Sequence, residues 1–181
     1  MKKGFKLAAV AAVLLAAGEL AAANNTNADV TKALLAAGAD VNARDGDGYT
    51  ALMWAAFGNK NPDVVKVLIE AGANINGRPK DGWWTALMSA AGSNANVEVT
   101  KALLDAGSDV NARDEYGATA LMWAAFGNKN PDVVKVLIEA GANKYAKAKD
   151  GKMAIDLLEI REDKDEFYGT DAYWKMLDLL Y

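Results

Sequence analysis

Twenty-five consecutive residues, TALMWAAFGNKNPDVVKVLIEAGAN, occur twice without a change, from Thr50 to Asn74 and again from Thr119 to Asn143. Unrelated helices can share a pattern of apolar residues, but folding physics does not ask for identical surface residues 69 positions apart. Duplication explains them, so the fold must be one that repetition can build. A finer period lies inside the copy. Glycines stand at 38, 72, 107 and 141 and asparagines at 27, 61, 96 and 130, both series stepping by 34, 35 and 34. Thr50, Thr85 and Thr119 keep the same phase, and Met153 stands where a fourth threonine would be. The duplicated block is two such units.

Each unit predicts two short helices. Thr50 opens a run in which Leu52, Ala55 and Ala56 share one face at i, i+3 and i+4. Small alanines there let another helix come close. Gly58, Asn59, Lys60 and Asn61 end the run, and Asn61 then caps a second helix with Pro62 at its first position and Asp63 against the positive end of its dipole. Val64, Val67 and Leu68 form the apolar stripe, and Gly72 supplies the left-handed residue that closes it. Helices of about ten residues are shorter than the ~12 to 15 at which an isolated helix is marginal in water, so neighbours must hold them. Between units, segments such as ADVNARDGDGY favour tight turns and predict a projecting turn or hairpin.

Two antiparallel helices and a turn-rich finger at a period near 33 resemble the ankyrin repeat. DGDGYTALMWAA and DEYGATALMWAA are similar to that family's D-x-x-G-x-T-P-L-H-x-A-A, and AGADVNAR and AGSDVNAR to its G-A-D-V-N-A. The tetratricopeptide repeat has two longer helices and no finger, and does not fit. The resemblance implies an all-α ankyrin-repeat solenoid of about four to five helix-turn-helix units, with projecting β-turn or hairpin fingers and a C-terminal capping helix. The expected units are 19–49, 50–84, 85–118 and 119–152, with a cap over 153–181. Met53, Met88 and Met122 replace the family's histidine, so its usual hydrogen bonds are not expected, and one residue is added between the helices of a unit. Near the start, Leu20, Ala21 and Ala22 form a degenerate first inner helix, followed by an outer helix over Ala28 to Ala37. Near the end, Leu158 and Glu159 stand where the paired alanines belong, which removes the demand for close stacking. The charged run REDKDE reads as a solvated linker to an amphipathic capping helix striped by Tyr173, Leu177 and Leu180.

The amino terminus combines a basic segment MKKGFK, a twelve-residue apolar segment and a small-residue end. This is the pattern of a secretory signal peptide over 1–18, with cleavage after Gly18 or as late as Ala23. The apolar part is shorter than the ~20 residues of a spanning helix, and Glu19 interrupts it, so no stable membrane insertion is expected after cleavage. Export to a bacterial periplasm or medium follows as an expectation.

Chemistry is sparse. The chain has no cysteine and no histidine, which removes thiol nucleophiles, thiolate metal sites and the commonest general base. A net charge of −4 repels phosphate backbones, so nucleic acid is not an expected partner. DGDG at 45–48 invites a calcium reading, but an EF-hand register with Gly48 at position 6 puts Ala43 and Trp54 where the first and last carboxylates belong. No catalytic residue, metal or cofactor is expected.

The aromatic residues carry the functional expectation. By the ankyrin resemblance, finger tips and the variable residue of the inner helix line a concave groove that grips partners. That assignment places Tyr49, Trp54, Trp83, Trp84, Ser89, Tyr116, Trp123 and Lys152 in the groove. Tryptophan and tyrosine are enriched in binding hot spots. Of the pair Trp83 and Trp84, one ring is expected to pack and the other to be exposed, while Phe57 and Phe126 border the groove and are expected to pack. The leading expectation is a monomeric, non-catalytic protein-binding module. The alternatives are a structural or stress-protective accessory with broad clients and, third, a carboxylate-dependent hydrolase.

Overall fold

The computed structural model describes residues 26–80, 82, 84–161 and 164–181. The signal-like segment, the first inner helix expected at Leu20 to Ala22, and Trp83 lie outside the described residues.

The threonine phase becomes a row of helix caps. The Thr50, Thr85 and Thr119 hydroxyls accept hydrogen bonds from the backbone N–H groups of Met53, Met88 and Met122 at 3.4, 3.3 and 3.4 Å. They open helices α2 (Ala51–Gly58), α4 (Ala86–Ser93) and α6 (Ala120–Gly127). The asparagine phase caps the second helix of each unit. Asn61, Asn96 and Asn130 accept from the N–H groups of Asp63, Glu98 and Asp132 at 2.9 to 3.0 Å and open α3 (Pro62–Glu70), α5 (Val97–Asp105) and α7 (Pro131–Glu139). Gly72, Gly107 and Gly141 follow these helices with φ of 85, 87 and 91°, where a side chain would be strained. Helix α1 (Thr26–Ala36) precedes this series, while α8 (Ala154–Glu159), α9 (Lys164–Phe167) and α10 (Asp171–Leu180) follow it.

The helices stack in two rows. The inner row runs α2, α4, α6, α8, and the outer row runs α1, α3, α5, α7, α10. Helix α10 packs on both α7 and α8, so the cap occupies the next outer position and is the partner of α8. Ala55, Ala56, Ala90, Ala91, Ala124 and Ala125 are fully buried along the inner seam. A methyl group on Gly127 would lie 2.7 Å from the Gly92 carbonyl oxygen, so α6 meets α4 backbone to backbone at this end. Leu68, Leu103 and Leu137 fill the space between the rows at 0% exposure, and burying each contributes about 1.5 to 3 kcal/mol. Leu158 is buried as completely as the alanine whose position it takes. In the cap, Met176 joins Tyr173 and Leu180 as the buried stripe, with Leu177 only partly covered.

Polar ladders bind unit to unit. Asn94 donates its amide to the carbonyls of Ala56 (3.1 Å) and Asn59 (2.9 Å), and Asn128 repeats this to Ala91 (2.8 Å) and Asn94 (3.0 Å). Arg161 takes the next rung. Its Nη1 donates to the carbonyls of Ala125 (3.0 Å) and Asn128 (2.7 Å), and its guanidinium lies 3.9 Å from the Phe167 ring centre. At 3% exposure Arg161 departs from the solvated linker expected of its charged run, because it stands 33 positions after Asn128 and takes the next pair of buried acceptors in the ladder. The fingers are tight turns; the described residues form no strand, only an isolated antiparallel bridge from Arg44 to Thr50. Arg44 and Arg113 each join their own finger to the next, donating at 2.6 Å to the carbonyls of Arg78 and Lys147. No helix among the described residues is long and apolar enough to cross a membrane.

Candidate functional site

One aspartate organises each of two fingers. The Asp45 carboxylate accepts from the N–H groups of Asp47 (3.1 Å) and Tyr49 (2.8 Å) through one oxygen and from Trp54 Nε1 (2.9 Å) through the other. Asp114 does the same for Tyr116 (2.9 Å), Ala118 (2.8 Å) and Trp123 Nε1 (2.9 Å). These charge-assisted bonds occupy both oxygens, which is what the DGDG turn does with its carboxylate. They also tie each tryptophan of the inner row to the finger before it. The indole N–H is thereby satisfied within the protein, and the ring presents a fixed apolar surface.

Around these two rings the aromatics form clusters. Tyr49 lies 5.3 Å from Trp54, and Phe57 meets Trp54 edge-on at 6.5 Å. Trp84 lies 4.8 Å from Trp123, and Phe126 meets Trp123 edge-on at 6.2 Å. All four spacings fall in the favourable range for aromatic pairs.

The expected groove residues therefore divide. Trp54 is 36% exposed and Tyr116 49%, so both offer surface, while Trp123, Tyr49 and Lys152 are partly covered. Trp84 packs against the core and its Nε1 is buried without a hydrogen-bond partner, so it is a packed ring of the tryptophan pair. Ser89 departs from expectation. It is 3% exposed and its hydroxyl donates to the Thr85 carbonyl at 3.3 Å, so it presents no surface. Trp84 holds Tyr49's position before its helix, but that helix carries Ser89 where Trp54 stands, and Trp84 meets Trp123 of the following inner helix instead. Phe57 is a correction in the other direction: it is 44% exposed and borders the face openly rather than packing.

The duplicated letters do not give duplicated surfaces. At the second copy an apolar cleft of about 300 Å³ opens between two fingers and the inner row. Trp123, Phe126 and Leu157 line its helical side, and Tyr116, Ala118, Ala148, Lys149 and Asp150 its finger side. Ala118 holds the position that Tyr49 fills beside Trp54, and Leu157 that of Ser89's tryptophan-bearing neighbours. Sequence reasoning missed Ala118, Ala148, Lys149, Asp150 and Leu157, since a cleft is made by what is small as much as by what is large. The comparison of 45–50 with 114–119 was the available signal.

The rim is basic. Residues 144–152 carry Lys144, Lys147, Lys149 and Lys152 against Asp150 alone. Asp150 is paired with Lys152, whose hydrogen bond holds its carboxyl below the usual range. Loss of solvent and a hydrogen bond to Glu115 push the Tyr116 phenol upward, so it remains a neutral hydrogen-bonding group at any physiological pH. The described residues contain no group of three or more acidic, histidine or cysteine side chains that could hold a metal ion.

The profile of the ankyrin repeat family, three tandem copies, matches residues 19–79 and 59–148. The chain belongs to the ankyrin repeat family. No curated protein matches it. Ankyrin repeats are generally protein-protein interaction modules, and the family is typically non-enzymatic. The face described above is, in ankyrin terms, the one made by fingers and inner helices.

Proposed function

We propose that this ankyrin protein is an exported, monomeric and non-catalytic binding module that grips a protein partner through its aromatic finger-and-inner-helix face. The leader over 1–18, cleaved after Gly18 or as late as Ala23, would carry it to the periplasm or medium. The observation that carries the binding reading is the pair of aspartate clamps on Trp54 and Trp123. Rings held in place before a partner arrives lose little freedom on binding, which favours affinity. The stack supplies stiffness and the face supplies complementarity, with no covalent step.

The test is affinity capture from the native envelope fraction, comparing the protein with the variant carrying Trp54→Ala, Trp84→Ala and Trp123→Ala. Truncating a hot-spot ring costs ~2 kcal/mol or more, so the triple change is expected to abolish capture while helicity persists. Trp54→Ala alone, which leaves the Trp84–Trp123 pair intact, is expected to weaken capture at least about tenfold. A partner retained by the folded triple variant contradicts the assignment of the face. Broad, weak co-purification indifferent to these rings supports an accessory with many clients instead.

A further inference from the structure

The duplicated halves differ most where a partner would be read. Beside Trp54 the finger offers Tyr49, and the two rings pack at 5.3 Å. Beside Trp123 the same position is Ala118, 7% exposed, and the space is a cleft. Leu157 extends the apolar floor into the cap, and the Tyr116 ring stands as one wall. A hole of about 300 Å³ is at the small end of ligand sites and is sized for side chains.

Over 110–118 and 144–152, the two fingers beside this floor carry a net positive charge: Arg113, Lys144, Lys147, Lys149 and Lys152, five cations, against Asp114, Glu115 and Asp150, three anions. Asp150 is ion-paired with Lys152, and Asp114 keeps its charge but turns both oxygens to Trp123 and the finger backbone. Arg113 is spent on the carbonyls of Gly117 and Lys147. Lys149 lines the cleft and is exposed, and its backbone N–H, not its ammonium, makes the finger contact to the Tyr116 carbonyl at 2.9 Å. Lys147 is exposed two residues away. In a chain of net charge −4, the cleft is thus edged by fingers with a local excess of cations, Lys149 of the cleft lining among them.

We propose that this cleft is the anchoring site for an acidic segment of the partner protein. One aliphatic or aromatic side chain sits on the Trp123 and Leu157 floor, and a neighbouring carboxylate pairs with Lys149. The inference rests on the protein-binding reading above and narrows it to one end of the stack and one partner chemistry. The equivalent place at Trp54 is already filled by Tyr49, so the two copies are not interchangeable.

A random-peptide display library selected on the immobilised protein tests it, followed by anisotropy titrations with fluorescein-labelled synthetic peptides from the enriched pool. The expected peptides carry Asp or Glu close to a large apolar residue. Ala118→Tyr, which copies the residue found beside Trp54, is expected to weaken them at least about tenfold, and Lys149→Glu to weaken them several-fold and remove the acidic preference. Binding should also fall with added salt. Enriched peptides without acidic residues, or peptides that bind a folded Ala118→Tyr protein as tightly as the parent, overturn the proposal. Peptides that ignore both changes but are lost on Trp54→Ala overturn it while keeping the aromatic face, and failure to enrich any tryptophan-dependent peptide counts against both.

Discussion

Replacing Asn128 with leucine is expected to lower the unfolding free energy by about 3 kcal/mol, seen as a fall in the urea midpoint at unchanged slope. Leucine keeps asparagine's branch point and number of side-chain heavy atoms but is bulkier, so the loss reports the hydrogen bonds together with some overpacking. Asn128 is 2% exposed. Its amide supplies the carbonyls of Ala91 and Asn94 in the preceding unit, and its side-chain oxygen accepts from the Asn130 N–H at 2.9 Å. Each buried backbone group left without a partner costs about 1 to 3 kcal/mol, and the Asn130 N–H, nearer the surface, recovers a water. A salt-bridged residue of the outer face, Lys135 with Glu139 at 3.8 Å, is the control, because exposed pairs contribute about 1 kcal/mol or less. A loss below about 1 kcal/mol for Asn128→Leu would show that the inter-unit ladder is not what holds this interface.

Arg161→Ala is expected to remove about 3 kcal/mol by the same physics at the end of the stack. The carbonyls of Ala125 and Asn128 lose their donor, and Phe167 loses a cation on its face that is worth about 0.5 to 2 kcal/mol. The cost of keeping a guanidinium out of water partly offsets these terms in the native protein, which keeps the expected loss near the sum of two orphaned carbonyls. The effect is local. Backbone amides of α10 should exchange faster with solvent while those of α4 change little, since each unit touches only its neighbours. Arg161→Asn, which restores the rung residue but not the Phe167 contact, is expected to fall between. Uniform acceleration across all helices would contradict Arg161 as the bolt of the cap.

The repeat architecture was legible because its determinants are local and periodic. Thr50, Asn61, Pro62 and Gly72 each do in the structure what their own chemistry favours, and the alanine pairs mark the seam because only small side chains fit there. Arg161 was not legible from composition, since a run of charges reads as solvated until the register assigns one of them to buried acceptors. The spacing of Asn59, Asn94, Asn128 and Arg161 held that information. The aromatic face was half legible. Tryptophan at 54 and 123 and tyrosine at 116 do stand together on the finger-and-inner-helix side, but burial of Ser89 and the cleft at Ala118 depend on which neighbour a ring reaches, which is set by packing between units. Identical helices acquired different surfaces because the fingers and inner helices on either side of them differ.

The most direct measurement of the central claim is site-specific photocrosslinking of the protein to its proposed partner. A benzophenone amino acid placed at Phe57 or Phe126 sits on the aromatic face, and one placed at Lys66 or Lys101 sits on the exposed side of the outer row. The account predicts one crosslinked partner from positions 57 and 126, stronger from 126, and none from 66 or 101. Equal or stronger crosslinks from the outer row would contradict it.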